Sequence, residues 1–250
     1  MNLATVTFLS QSLGRHVTYT AILPNPQAGR GPYPVLYQLH GASDDHSGWL
    51  RLSNLVRHVS ALPLVVILPE GALSFWLNYS PHERYEDFLM NDLPAHVQAT
   101  FPIRTGRAAT AIGGLSMGGF GALRLGLKFP DRFISVWGHS SGLWRPDDLA
   151  KRWPGQPPAD PQDADIYYWA EQAAAWVRTD PQRLPTLSFD CGTEDFLLPQ
   201  NREFHRFLTE HGIPHQYLEH PGSHTWDYWD LHVKDALKQH ARLLGISQGQ

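Results

Sequence analysis

Ser116 stands in the run Ala109-Thr110-Ala111-Ile112-Gly113-Gly114-Leu115-Ser116-Met117-Gly118-Gly119, with a glycine two positions to either side. A serine in a Gly-x-Ser-x-Gly pattern is a candidate nucleophile when a strand runs in and a helix runs out. Such a turn is tight, so its flanking positions must carry almost no side chain. The helix that follows aims its first amides at developing negative charge. Here an apolar run precedes the pattern and a helical period follows it, which is the required context. A dinucleotide-binding glycine loop fails on spacing, because no G-x-G-x-x-G occurs and the first strand–helix turn holds His40-Gly41 instead.

A hydroxyl needs a base and an orienting acid, and in this kind of turn they follow in the chain order serine, acid, histidine. The strand-like Thr186–Asp190 runs into Cys191-Gly192-Thr193-Glu194-Asp195, which makes Asp195 the first candidate acid, with Glu194 and Asp190 as competitors. The base is expected at His224, past the strand-like Gln216–Glu219 and a Pro221-Gly222 turn, with His220 as the alternative nearer the strand. Two backbone N–H groups are needed to hold an oxyanion. They are expected from Met117, directly after the serine, and from Ala42 in His40-Gly41-Ala42. His40 itself is read as a buttress of that loop and not as a base.

These residues require a scaffold of alternating strands and helices. Val35–Leu39, Leu64–Leu68, Ala109–Gly113, Phe133–Gly138, Thr186–Asp190 and Gln216–Glu219 are short apolar runs, several bounded by proline or glycine. Such runs fit strands buried on both faces of a parallel sheet. Helical patterning falls on Tyr85–Thr100, Gly119–Phe129, Asn201–His211 and Trp226–Leu244, and the alternation predicts an α/β layered fold. Thr5–Leu9 and His16–Leu23 read as two antiparallel edge strands. From Ser140 to Pro185 the rhythm breaks, with seven prolines and the aromatics Trp144, Trp153, Tyr167, Tyr168, Trp169 and Trp176. A long excursion of this kind reads as a lid-like insertion at about 140–185 in a single domain spanning 1–250. Ser247 to Gln250 are expected to fray.

Composition narrows the function classes. The 250 residues carry 20 basic and 24 acidic side chains, a net charge of −4 without charge runs, which leaves no footprint for nucleic acid or an anionic membrane. No stretch approaches the roughly 18 apolar residues of a membrane helix, and a soluble cytoplasmic protein is expected. Cys191 is the only cysteine, so neither an intramolecular disulfide nor a four-cysteine zinc site can form. No metal site is read: His82-Glu83-Arg84-Tyr85-Glu86 is not H-E-x-x-H, and Gly212 and Pro214 break any helix joining His211 to His215. Asp44, Asp45 and His46 read as a solvated loop.

Leu39-His40-Gly41, Gly114-Leu115-Ser116-Met117-Gly118-Gly119, Gly192-Thr193-Glu194-Asp195 and Pro221-Gly222-Ser223-His224-x-Trp226 together resemble the esterase D family of α/β-hydrolases over nearly the whole chain. The resemblance implies an α/β-hydrolase fold, a catalytic triad of Ser116, Asp195 and His224, and an oxyanion hole at Ala42 and Met117. It implies a serine carboxylesterase acting on small soluble esters, with a small-molecule substrate, no cofactor, and homo-oligomerisation left open. S-formylglutathione hydrolysis, acyl transfer, and a catalytically dead binding protein are the rival readings. Trp49, Trp76, Trp226 and Trp229 are candidates to line an acyl or aryl pocket.

Overall fold

The computed structural model describes residues 2–152 and 158–246. Trp153, Pro154 and Pro157 of the proline-rich segment, and residues 247–250, lie outside the described residues. The apolar runs form one eight-stranded sheet. Its strands are β1 (Asn2–Ser10), β2 (Arg15–Leu23), β3 (Val35–Leu39), β4 (Val65–Pro69), β5 (Thr110–Leu115), β6 (Ser135–His139), β7 (Thr186–Gly192) and β8 (Gln216–His220). Their spatial order is β1-β2-β4-β3-β5-β6-β7-β8. The β1–β2 and β2–β4 pairs are antiparallel and every later pair is parallel.

Every residue of β3, β4 and β6 is buried, because helices cover both faces. The period of two is still visible in which core each side chain joins. Val35, Tyr37 and Leu39 face one layer while Leu36 faces the other, and Val65 and Ile67 part from Val66 and Leu68 in the same way. The helices are α1 (Gly48–Arg51), α2 (Leu55–His58), α3 (Tyr85–Asp87), α4 (Leu93–Thr100), α5 (Met117–Lys128), α6 (Pro146–Arg152), α7 (Ile166–Thr179), α8 (Leu198–Glu210) and α9 (Trp226–Leu243). On one side α5 supplies Phe120, Leu123 and Leu127 to the core; on the other α9 supplies Tyr228, Trp229, Val233 and Leu237.

The expected Tyr85–Thr100 helix is present but widens to a π turn at Phe88–Asp92 between α3 and α4. Pro94 has no N–H to offer the Met90 carbonyl, which would be its helical partner. Arg132 donates to that carbonyl instead, at 2.6 Å. The expected excursion after β6 also differs from a bare loop, because α6 and α7 are helical. Its prolines flank these helices: Pro146 opens α6 and Pro181 follows α7.

Arg124 ties these layers together from inside α5. Its guanidinium is fully buried, pairs with Glu86 of α3, and donates to the Trp76 carbonyl at 3.1 Å and the Asp163 carbonyl at 2.9 Å. Lys128 bridges Glu86 and Asp163 from the next turn. Arg124→Met leaves Glu86 with Lys128 as its only cation, and removal of one member of a buried pair costs about 3–5 kcal/mol. Urea unfolding should show a loss of that size; a change under about 0.5 kcal/mol would mean that the pair holds nothing together.

Acid should weaken the fold through α9. Burial pushes the His240 imidazole down to about 3, with the nearby His139 adding to it, and Ser135 Oγ lies 2.8 Å from its Nδ1. The unfolded chain takes up this proton near the ordinary value of about 6.5. Between those values the unfolded state therefore binds more protons, and stability falls as pH falls. This one group should remove about 2 kcal/mol between pH 6.5 and 5. His240→Leu should flatten that part of the slope in urea titrations at the two pH values.

Candidate active site

Strand β5 ends at Leu115, and Ser116 caps α5 with φ 54° and ψ −113°. That left-handed backbone is rare for a residue with a side chain and is held from several directions. The Ser116 N–H donates to the His139 carbonyl at 2.8 Å, while its own carbonyl accepts from Gly142 at 3.1 Å and from Phe120 at 3.0 Å. The neighbouring glycines are needed for close approach of backbone to backbone. A Cβ at Gly114 would lie 2.5 Å from the Gly118 carbonyl oxygen, and one at Gly118 would lie 2.6 Å from the Leu39 carbonyl oxygen.

The loops after β7 and β8 bring two more side chains to this turn. His224 Nε2 lies 3.1 Å from Ser116 Oγ, and His224 Nδ1 lies 2.8 Å from Asp195 Oδ2. Asp195 is 4% exposed, and its other oxygen accepts from the Leu197 amide at 2.8 Å. The three carboxylates open at the sequence level have separate partners. Glu194 is exposed and accepts from the Gly222 amide and the Thr193 hydroxyl, and those bonds hold it below the usual carboxylate range. Asp190 is fully buried and accepts from Trp137 Nε1 (2.6 Å), His139 Nδ1 (2.7 Å) and Tyr228 Oη (2.8 Å). Burial works against its charge, but His139 and these donors outweigh burial and keep its pKa low. Only Asp195 of the three meets His224. His220, the alternative base, stacks on His232 instead.

Met117 is the first residue of α5, so its N–H has no helical acceptor behind it. Ala42 borders the cavity beside Ser116. Behind Ala42, His40 is buried and neutral, with burial lowering its pKa most strongly. Its Nε2 accepts from the Gly71 amide at 2.9 Å, which leaves Nδ1 to donate to the Gly41 carbonyl at 2.7 Å. The ring thus joins the loop after β3 to the loop after β4.

The cavity over Ser116 has a volume of about 530 Å³. Trp226 and Trp229 line it together with Trp144 of the expected insertion and with Phe75 and Phe196, two aromatics that sequence reasoning did not single out. Trp49 and Trp76 do not reach it. Trp76 is wholly buried beneath α5, so close to Gly71 and Gly121 that a Cβ at either would lie within 2.5 Å of its ring. Trp49 is buried behind Trp226, with ring centroids 5.2 Å apart, and donates to the Leu39 carbonyl at 3.0 Å. The Trp229 ring stands edge-on to His224 at 4.8 Å, with its N–H bound to Ser140 Oγ at 3.1 Å. Phe196, 59% exposed, covers the other side of the imidazole at 4.7 Å. Tryptophans alternate between core and pocket within a few residues, and nothing in their spacing separates the two.

A second cavity, of about 260 Å³, lies at the opposite end of the strands near Val35 and Thr110. Its Arg104, Arg107 and Arg132 donate to backbone carbonyls, and no side chain there has the Ser–His–Asp geometry.

Comparison with known proteins agrees with this geometry. A family model described as "Esterase: Putative esterase" matches residues 10–240. The chain is 29% identical to an acetyl esterase of Caldicellulosiruptor saccharolyticus, covering 95% of this chain and 97% of that protein. It is similar in structure to the fluorophosphonate-binding serine hydrolase F of Staphylococcus aureus, with a TM-score of 0.85 at 25% identity over 97% of this chain and 98% of that one. It is also similar to an S-formylglutathione hydrolase of Staphylococcus aureus, with a TM-score of 0.81 at 26% identity over 98% of this chain and all of the other. The mostly parallel sheet is that of the α/β-hydrolase fold. This chain belongs to the Esterase family and is a serine carboxylic ester hydrolase.

Proposed function

We propose that Ser116, His224 and Asp195 hydrolyse small, uncharged esters of short or aryl acids through an acyl-serine intermediate. The hydrogen-bonded relay from Asp195 through His224 to Ser116, placed under an aromatic cavity, carries this reading. His224 Nε2 removes the hydroxyl proton as Oγ attacks the ester carbonyl. Asp195 holds the tautomer with Nδ1 protonated and stabilises the imidazolium that forms. The Ala42 and Met117 amides receive the oxyanion. His224 then returns the proton to the leaving alcohol, and water repeats the sequence on the acyl-serine.

The cavity lining favours neutral substrates over the thioester of glutathione. Among the described lining residues the charged group is Asp44, and no lysine or arginine is present to meet a carboxylate. The described residues 143–152 and 158–185 serve as a fixed wall of the site. Trp144 lines the cavity, Arg145 lies 3.6 Å over the Tyr167 ring of α7, and Asp163 is bound to Arg124 and Lys128 of α5.

Three substitutions test the triad. Ser116→Ala and Asp195→Asn should each lower kcat by about 10⁴-fold with the fold retained, the second because the amide fixes the wrong tautomer. Glu194→Gln should change kcat/KM by no more than about tenfold, the effect of one exposed hydrogen bond. The reverse ranking of Asp195 and Glu194 would reassign the acid.

The acyl preference should fall with chain length. Five indole or phenyl rings stand around Ser116, with Leu115 and Ala42 as the aliphatic contacts among them. Overpacking such a site costs about 1–3 kcal/mol, whereas an apolar tunnel would reward each methylene by about 0.8 kcal/mol. For p-nitrophenyl acetate, butyrate and octanoate, kcat/KM should drop at octanoate. A steady rise through octanoate would show that a tunnel exists.

A further inference from the structure

The His224 segment is bracketed by two histidines that take no part in the relay. His220 closes β8 before it, and His232 stands on α9 after it. Their rings stack face to face, with centroids 4.1 Å apart and planes 11° from parallel. His232 is 8% exposed, and neither of its ring nitrogens has a hydrogen-bond partner or contact with solvent. Buried polar groups are nearly always paired, so an imidazole orphaned at both nitrogens needs an explanation. Its neighbours offer none. The Tyr228 ring lies 4.4 Å away, but the Tyr228 hydroxyl is committed to Asp190. Asp235, one turn further along α9, holds Oδ2 at 3.9 Å from His232 Nδ1, beyond hydrogen-bond reach.

One donor atom each from His220, His232 and Asp235 lies within 4.8 Å of the other two. We propose that these three residues form a binding site for a zinc-class divalent transition-metal ion, which ties together the two ends of the segment carrying His224. Two imidazoles and a carboxylate are a donor set suited to Zn²⁺, with the fourth position open to water. Tetrahedral bonds of about 2.0–2.1 Å place donors roughly 3.3 Å apart with both in-plane lone pairs aimed at one point, so the His220 ring must rotate out of the parallel stack for the site to close. His220 is partly exposed, and among the described residues Asp235 is held only by the exposed Lys238, whose Nζ donates to Oδ1 at 2.9 Å and leaves Oδ2 toward His232. The ion would not compete for the triad, since both nitrogens of His224 are engaged by Asp195 and Ser116.

The pattern escapes a sequence scan because eleven residues separate the two histidines. The turn between β8 and α9 closes that gap.

Zinc chloride titrated calorimetrically into chelator-stripped protein tests the site, with thermal unfolding followed in parallel. One equivalent is expected to bind and to raise Tm. Loss of even an outer partner weakens metal sites by about 10–100-fold, so His232→Leu and His220→Ala should each weaken binding at least tenfold and abolish the Tm shift. His224→Ala and His205→Ala should bind as the unaltered protein does. The second control matters because His205 and His215 form their own pair at 2.8 Å. His220 sits at the partly exposed end of β8, so its variant reads the site even if His232→Leu fails to fold. Absence of saturable binding overturns the proposal, as does binding that survives His220→Ala or disappears with His205→Ala or His224→Ala.

Discussion

The left-handed turn at Ser116 is the constraint around which this molecule is built. A residue with a Cβ held at φ 54° costs about 1–3 kcal/mol, and it persists because the surroundings leave no alternative. Its N–H and C=O are both engaged across β6 and the loop that follows it. On the other side, the Gly118 backbone rests against the carbonyls of Leu39 and His40. That contact requires β3 and β5 to be neighbours, which they are, in parallel register from Val35–Thr110 to Leu39–Gly114. Ser116 and the loop bearing Ala42 are therefore fixed to one another by backbone alone, before any side chain is considered. Relaxing the turn would separate them.

Behind the turn lies a buried polar layer that holds the base. Asp190 gathers Trp137, His139 and Tyr228, and its carbonyl receives the Ser140 amide at 2.7 Å. Ser140, itself left-handed at φ 44°, accepts from Trp229, and the Trp229 ring stands against His224. Asp190, whose carboxylate never meets His224, thus helps to place it through its backbone carbonyl by way of Ser140 and Trp229. A charge buried this deeply is tolerable because three donors engage both of its oxygens.

Much of this was legible from residue order. Ser116 could be picked out because glycines mark a close approach of backbone that few other residues permit. Asp195 and His224 followed from their positions after strands. The choice among Asp190, Glu194 and Asp195 could not be made that way, since all three lie within six residues and only the bend at Gly192 decides which faces the imidazole. A Cβ at Gly192 would lie 2.2 Å from the Gly222 carbonyl oxygen, so the loops bearing Asp195 and His224 touch there. The tryptophans were the least legible residues. Trp76 is core because Gly71 and Gly121 make a slot for it, and slots assembled from distant glycines leave no local signature. Prolines misled in the opposite direction. They suggested a bare excursion after β6, but a proline is compatible with the first turn of a helix, and Pro146 occupies that place in α6.

The packing of that segment bears on how selectivity arises. If α7 moved as a cover, Asp163 would have to leave Arg124 and Lys128, uncovering a guanidinium with no exposure at all. Separating a buried charge from its partner is costly on the scale of the whole stability of a domain. The cheaper motion is local, at side chains that are already exposed, and Phe196 over His224 is the clearest of these. Discrimination between esters then belongs to the shape of a standing aromatic wall, adjusted at one ring. A closure that assembles the site around its substrate is not required.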